Sequence, residues 1–198
     1  MPNKSYIESC INKFSEFTDK DEKYSRVVFS DQFKEARRWL SNEFSELGLT
    51  VKKDYAGNLI GIYESNNRRS KRVLVGSHID TVPNGGRFDG VAGVVAGLSI
   101  VKSFKENDIS LPFDLEICDY LGEELNDWNI SCLGTRGITG QLNEDVLKRV
   151  SSDGRKLSDE IKKEGGDVIR IASETPSLDG IIGCFELHIE QGTVLEES

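Results

Sequence analysis

The sequence has two histidines, His78 and His188, and each lies where a short apolar run gives way to a polar loop. Asp80 follows His78 by two residues, a spacing that lets a carboxylate hold the imidazole. Asp89 comes eleven residues after His78, across a loop containing Gly85 and Gly86, which is long enough to fold back and aim two side chains at one point. Glu123 and Glu124 stand side by side after another apolar run. Such neighbours can divide labour, one binding a divalent ion while the other takes a proton from water. Around the second histidine, Phe185, Leu187 and Ile189 alternate with Glu186, His188 and Glu190, as in a strand with one apolar and one acidic face. Each piece also has a plainer reading: a hydrogen-bonded surface histidine, a solvated pair of glutamates, a solvated sheet face. Their coincidence at the ends of separate strands is what points to a metal site. Imidazole and carboxylate without thiolate suit zinc, and manganese or cobalt nearly as well.

The elements that must position these groups follow from periodicity. Phe33, Ala36, Leu40, Phe44 and Leu47 recur at helical spacing between the caps Ser30 or Asp31 and the stop at Gly48. Leu49 to Lys52 then leads through the turn cluster Asp54 to Asn58 into a strand at Leu59 to Tyr63. Arg72 to Gly76 reads as a buried strand. Val91 to Val101 reads as a helix in which Gly93 and Gly97 permit close backbone approach. Leu115 to Tyr120 is a further strand, 143–165 contains two surface helices broken at Asp153-Gly154, and Ile181 to Ile189 is a last strand. Alternation of this kind predicts an α/β fold, a layered sheet with flanking helices, whose functional groups gather at the carboxyl ends of the strands.

Composition narrows the function. The 198 residues carry 25 Lys and Arg against 34 Asp and Glu, a formal charge of −9, with 37% hydrophobic and 30% charged residues. That is the balance of a soluble globular chain, and it argues against a nucleic-acid partner. The one basic cluster, Arg68, Arg69, Lys71 and Arg72, reads as a solvated turn between strands. The longest apolar and glycine run, Val91 to Val101, falls short of the roughly 20 residues that a membrane span needs. The first ten residues lack the apolar stretch of a secretion signal, and Cys10, Cys118, Cys132 and Cys184 form no CxxC pair. A cytoplasmic location without membrane contact is expected.

The segment from Gly76 to Gly90, with His78, Asp80 and Asp89, closely resembles the metal motif of the zinc-dependent amidohydrolases that include N-carbamoyl-L-amino-acid hydrolase, beta-ureidopropionase and allantoate amidohydrolase. These are relatives of the aminoacylase and carboxypeptidase type metallopeptidases. Two further blocks, Gly122 to Arg136 and Phe185 to Gly192, match in order, as does Asp54 to Asn58. The resemblance implies that His78, Asp89 and His188 hold one metal ion and that Asp89 bridges to a second ion on Glu124. It makes Glu123 the general base toward the attacking water, gives Asp80 the task of orienting His78, and places Gln191 against substrate. It further implies two divalent ions per complete site and hydrolysis of linear, non-peptide carbamoyl or ureido C–N bonds.

Members of that family are about twice as long. Residues 1–198 correspond to the N-terminal part of a metallopeptidase-like catalytic domain. By that resemblance the lid and dimerisation domain is expected to be missing from these residues, together with its substrate-binding Asn and Arg and the histidine that completes the second metal site. Leu125 and Thr193 also stand where relatives often carry a small residue or proline. This chain alone is therefore expected to bind one ion weakly and to turn over poorly. The alternatives are a non-catalytic remnant, one half of a split enzyme that needs a complementary chain, and an aminoacylase-like peptidase.

Overall fold

The structure, a computed structural model, describes residues 3–66, 71–174 and 178–197. Arg68, Arg69 and the turn expected around them lie outside the described residues. Five strands form one mixed sheet: β1 (Thr50–Lys53), β2 (Leu59–Tyr63), β3 (Arg72–Ser77), β4 (Asp114–Asp119) and β5 (Ile181–Phe185), in the order β1-β2-β4-β3-β5. The pairs β1–β2 and β2–β4 are antiparallel, whereas β3 runs parallel to both β4 and β5. The carboxyl ends of β3, β4 and β5 therefore lie along one edge of the sheet, where a parallel arrangement collects its loops.

Helices α1 (Lys4–Glu16), α2 (Asp31–Glu46) and α3 (Val91–Glu106) supply most of the core. In α2 the expected pattern is realised: the Ser30 side chain caps Phe33 N–H, Phe33, Ala36, Leu40 and Phe44 are buried, and Gly48 ends the helix in the left-handed region. The helix α3 buries Val91, Val94, Val95, Leu98 and Val101, and Gly97 seats it on the sheet, since a Cβ there would lie 2.8 Å from the Ile117 side chain. Phe14 of α1 packs edge-on against Trp39 at 4.9 Å. The two helices expected in 143–165 are α5 (Glu144–Leu147) and α6 (Leu157–Lys163). Three helices carry no counterpart in the periodicity reading: α1, α4 (Leu133–Ile138) and α7 (Val168–Ser173). No helix among the described residues is long and apolar enough to cross a membrane.

One expectation is corrected. The last strand stops at Phe185 instead of continuing to Ile189. Its ladder with β3 ends at Val75↔Phe185, two residues before β3 itself ends at Ser77. Beyond that point Glu186 accepts the Ser77 hydroxyl at 2.7 Å, and the Leu187 carbonyl closes on Gly93, where any side chain would collide with it. Hydrogen bonding and a backbone contact thus draw 186–188 toward the start of α3 and off the ladder. The apolar residues of the alternating stretch, Phe185, Leu187 and Ile189, are exposed.

Beneath the carboxyl ends of β3 and β4 lies Arg37 of α2, which is 3% exposed. Its Nε donates to Asp119 at 2.8 Å, Nη1 to Glu164 at 3.1 Å and Nη2 to the Gly57 carbonyl at 2.8 Å. The second Asp119 oxygen accepts Ile79 N–H at 3.0 Å. Burial raises the pKa of Asp119 to about 6 against the opposing pull of Arg37. Removing the guanidinium would leave the buried Asp119 without a charged partner and Glu164 with Lys53 alone at 3.7 Å. Arg37→Met is therefore expected to cost about 3–5 kcal/mol, read as a fall in the urea midpoint. A loss below about 1 kcal/mol, the range of exposed pairs, would contradict this placement.

Candidate metal centre

His78 follows the last residue of β3 and is 1% exposed. Its Nδ1 lies 2.9 Å from the Asp80 carbonyl oxygen. His188, three residues beyond β5, holds Nδ1 2.8 Å from the Ile189 carbonyl oxygen. A carbonyl only accepts, so each Nδ1 carries the hydrogen, and in the neutral rings each Nε2 presents a lone pair. The two Nε2 atoms face each other at 3.4 Å. Asp89 Oδ1 joins them, 3.2 Å from His188 Nε2 and 3.9 Å from His78 Nε2. That oxygen is buried and has no hydrogen-bond partner, whereas Oδ2 accepts from Gln191 Nε2 at 2.6 Å.

Three acceptor atoms thus converge within 4.8 Å of one another, and the arrangement calls for positive charge between them. A proton is one answer. Burial opposes charge on His78, but Asp80 and Glu123 outweigh it and raise the pKa to about 9. A divalent cation is the other. The orphaned Asp89 oxygen, the fixed tautomers and the nitrogen and oxygen donor set all fit one.

A second cluster shares His78 and adds Glu123 and Glu124, again within 4.8 Å. Glu123 Oε2 lies 3.6 Å from His78 Nε2, and its other oxygen is 3.5 Å from Cys132 Sγ. The Glu124 pKa is pushed up to about 7 by burial, by Asp89 and by Glu123, with His78 opposing. Crowded carboxylates of this kind are relieved by a bound cation.

Both glutamates are fixed by Asp80, whose buried carboxylate accepts Glu123 N–H and Glu124 N–H, each at 3.1 Å. It is the Asp80 carbonyl that holds the His78 ring most closely; the carboxylate stands 3.6 Å from Nδ1. The structure brings together His78, Asp80, Asp89, Glu123, Glu124 and His188, the residues that the sequence proposes for the site, with Gln191 directed at Asp89 by its side-chain amide.

Three supporting residues have no signal in the sequence reading or only a faint one. Gly90 has φ +61, and a Cβ there would strike the His78 ring and carbonyl. In the sequence it shows only as the glycine that ends the Gly76–Gly90 segment, just before a helix. Arg26, 2% exposed, donates through Nε to the Ile79 carbonyl at 2.6 Å and through Nη1 to Phe14 and Phe17 carbonyls. Arg37 reaches the same loop through Asp119. In a chain with 25 basic residues, nothing local distinguishes these two arginines.

Comparison with known proteins adds a separate line of support. The profile of Peptidase family M20/M25/M40 matches residues 74–198. The chain is 35% identical over 174 residues to N-carbamoyl-L-amino acid amidohydrolase of Geobacillus stearothermophilus, covering 88% of this chain and 42% of that protein. It is 31% identical over 198 residues to ureidoglycolate hydrolase of Arabidopsis thaliana, covering 96% and 42%. A crystal structure of a hydantoinase/carbamoylase family amidase from Burkholderia ambifaria superposes with a TM-score of 0.87 at 30% identity, over 98% of this chain and 47% of that one. The chain spans less than half the length of these relatives.

Elemental analysis after zinc loading and desalting tests the centre. The unsubstituted protein is expected to retain zinc and Asp89→Ala to lose it. Gly90→Ala, by displacing the His78 ring, is expected to weaken binding about 10–100-fold, the usual cost of disturbing a ligand's support. Equal retention in all three proteins would show that the ion binds elsewhere.

Proposed function

The chain belongs to peptidase family M20/M25/M40, and from that membership we propose that it forms the metal-binding N-terminal part of the catalytic domain of an amidohydrolase acting on carbamoyl or ureido C–N bonds, N-carbamoyl-L-amino acids first among them. The observation that carries this reading is the convergence of His78, Asp89 and His188 around an unpartnered buried oxygen, with Glu123 beside it. The names of the relatives supply the substrate class.

His78, Asp89 and His188 would hold one divalent ion, and Glu124 with Asp89 would contribute to a second; zinc is the first choice, with manganese or cobalt as alternatives. When bound, such ions supply Lewis-acid polarisation of the scissile carbonyl and of water. The chain's own residues then have distinct tasks. Glu123, partly exposed and fixed through its backbone by Asp80, takes a proton from the attacking water and returns it to the departing nitrogen. Asp80 keeps Glu123 and Glu124 in register with His78. Gln191 holds Asp89 through its amide and stands where a substrate would approach the centre. For a carbamoyl substrate the products are the amine, ammonia and carbon dioxide.

A requirement for a complementary portion is part of the proposal. It rests on the share of the relatives that the chain spans and on the uncharged edge strand β5, in which Ile182 and Phe185 are 54% and 63% exposed. That portion would bring the remaining ligand of the second ion, the substrate grip and the dimer contacts. The cytoplasm is the proposed compartment, in keeping with four cysteines that are all free thiols.

With zinc or manganese present, the chain alone is expected to release ammonia from an N-carbamoyl-L-amino acid only slowly, and more readily than acetate from the N-acetyl analogue. Glu123→Gln should reduce that residual rate by roughly 100–10,000-fold, the weight of a general base, without changing metal content. Brisk turnover by the chain alone would refute the requirement for a complementary portion. Preference for the acetyl substrate would favour the aminoacylase-like reading.

A further inference from the structure

His188 reaches the metal centre from a segment that neither a ladder nor burial holds. The β3–β5 pairing stops at Val75↔Phe185, and residues 186–190 are all exposed, the apolar Leu187 and Ile189 among them. Yet the His188 ring stacks on that of His78, with centroids 5.6 Å apart and planes inclined by 24°. Polar contacts must set that placement.

Two side-chain hydrogen bonds flank the histidine. After it, Gln191 donates to Asp89 at 2.6 Å. Before it, Glu186 accepts the Ser77 hydroxyl at 2.7 Å, across 109 positions of the sequence. Ser77 is buried, and Glu186 is the one side chain among the described residues that pairs with its hydroxyl. A hydroxyl donating to a carboxylate makes a short, charge-assisted bond, and a buried hydroxyl deprived of its acceptor is costly. Ser77 immediately precedes His78, and Glu186 precedes His188 by two residues. This one bond therefore joins the two segments that carry the imidazoles. Gly93 leaves room for the junction, since a Cβ there would collide with the Leu187 carbonyl oxygen and lie 2.7 Å from the Ser77 Cβ.

We propose that Ser77 and Glu186 form a positioning pair for the metal centre, holding His188 opposite His78 before any ion binds. The inference rests on reading His78, Asp89 and His188 as ligands of one ion. Neither Ser77 nor Glu186 belongs to the side chains that converge on that ion's place. Their bond acts through the backbone, by fixing the stem of 186–190 against the end of β3. A ligand already in position loses less freedom when the ion arrives, so affinity depends on the bond.

Two measurements on the full chain test the pair. The first needs no metal. The sequence has two histidines, so a His188→Gln variant assigns both imidazole spectra. A nuclear Overhauser contact between the rings is expected in the unsubstituted protein and is expected to vanish in Ser77→Ala and Glu186→Ala. The second is zinc affinity, by competition with a chromophoric chelator. Each alanine variant should weaken it about 10–100-fold, the range typical of groups that support a metal ligand. Ser77→Ala/Glu186→Ala should do no worse than either single variant, because all three break the same bond. Glu186→Gln, whose carboxamide oxygen still accepts, should keep most of the affinity and the ring contact. Absence of the ring contact in the unsubstituted protein, its persistence in both alanine variants, unchanged zinc affinity in both, additive losses in the double variant, or a Glu186→Gln protein as weak as Glu186→Ala would each overturn the proposal. Equal zinc retention by Asp89→Ala would instead refute the ligand reading, and the metal-free ring contact would still decide whether the pair positions His188.

Discussion

The Asp80 carboxylate accepts the backbone N–H groups of both Glu123 and Glu124, while the Asp80 carbonyl orients His78. One buried residue thereby ties the loop after β3 to the loop after β4 and sets the spacing between an imidazole and two acidic side chains. Amides shared with a carboxylate are charge-assisted and short-ranged, so small displacements would be resisted from both sides. The parallel pairing of β3 and β4 brings the loops to the same edge of the sheet, and Asp80 turns that proximity into a defined geometry.

A second tier supports the first. Asp119 at the end of β4 accepts Ile79 N–H, and Arg26 donates to the Ile79 carbonyl, so the residue between His78 and Asp80 is held at both of its backbone polar groups. Asn58 performs a similar service on the other side, donating to Asp54 and accepting Leu121 N–H, which joins the β1–β2 turn to the segment that leads into Glu123. The polar groups buried under the centre are paired in this way, which leaves the unpartnered Asp89 oxygen as a local exception with a chemical reason.

Much of this was legible in the sequence where the cause is local. Phe33 to Leu47 announced α2 by spacing and caps, and Leu59 to Tyr63 announced β2 by its apolar run between turns. Except for Gln191, which the family resemblance supplied, the site residues could be singled out because strand ends, paired glutamates and the His78 to Asp89 loop are short-range patterns. What could not be read acts through space. Arg26 and Arg37 look like any other arginines until α1, α2 and the sheet surround them. The helix α1 has apolar residues at Tyr6, Ile7, Cys10 and Phe14, yet they are scattered among polar ones and take their meaning from α3 and Trp39. At 185–190 the alternation was real but misled. Period-two patterning makes a strand only where the ladder continues, and past Val75 the chain leaves the free edge of β3 for side-chain and backbone contacts with Ser77 and Gly93.

The short β5 has a thermodynamic consequence. His78 and Asp89 are buried beside the sheet, whereas His188 is delivered by residues outside any ladder, with a side chain 31% exposed. An ion bridging Asp89 and His188 would be a non-covalent staple between positions far apart in the chain, and would carry with it the cost of ordering 186–190. Because such an ion binds the folded form alone, the unfolding temperature becomes a gauge of free metal, with about 2.7 kcal/mol of added stability at a hundredfold excess over the dissociation constant.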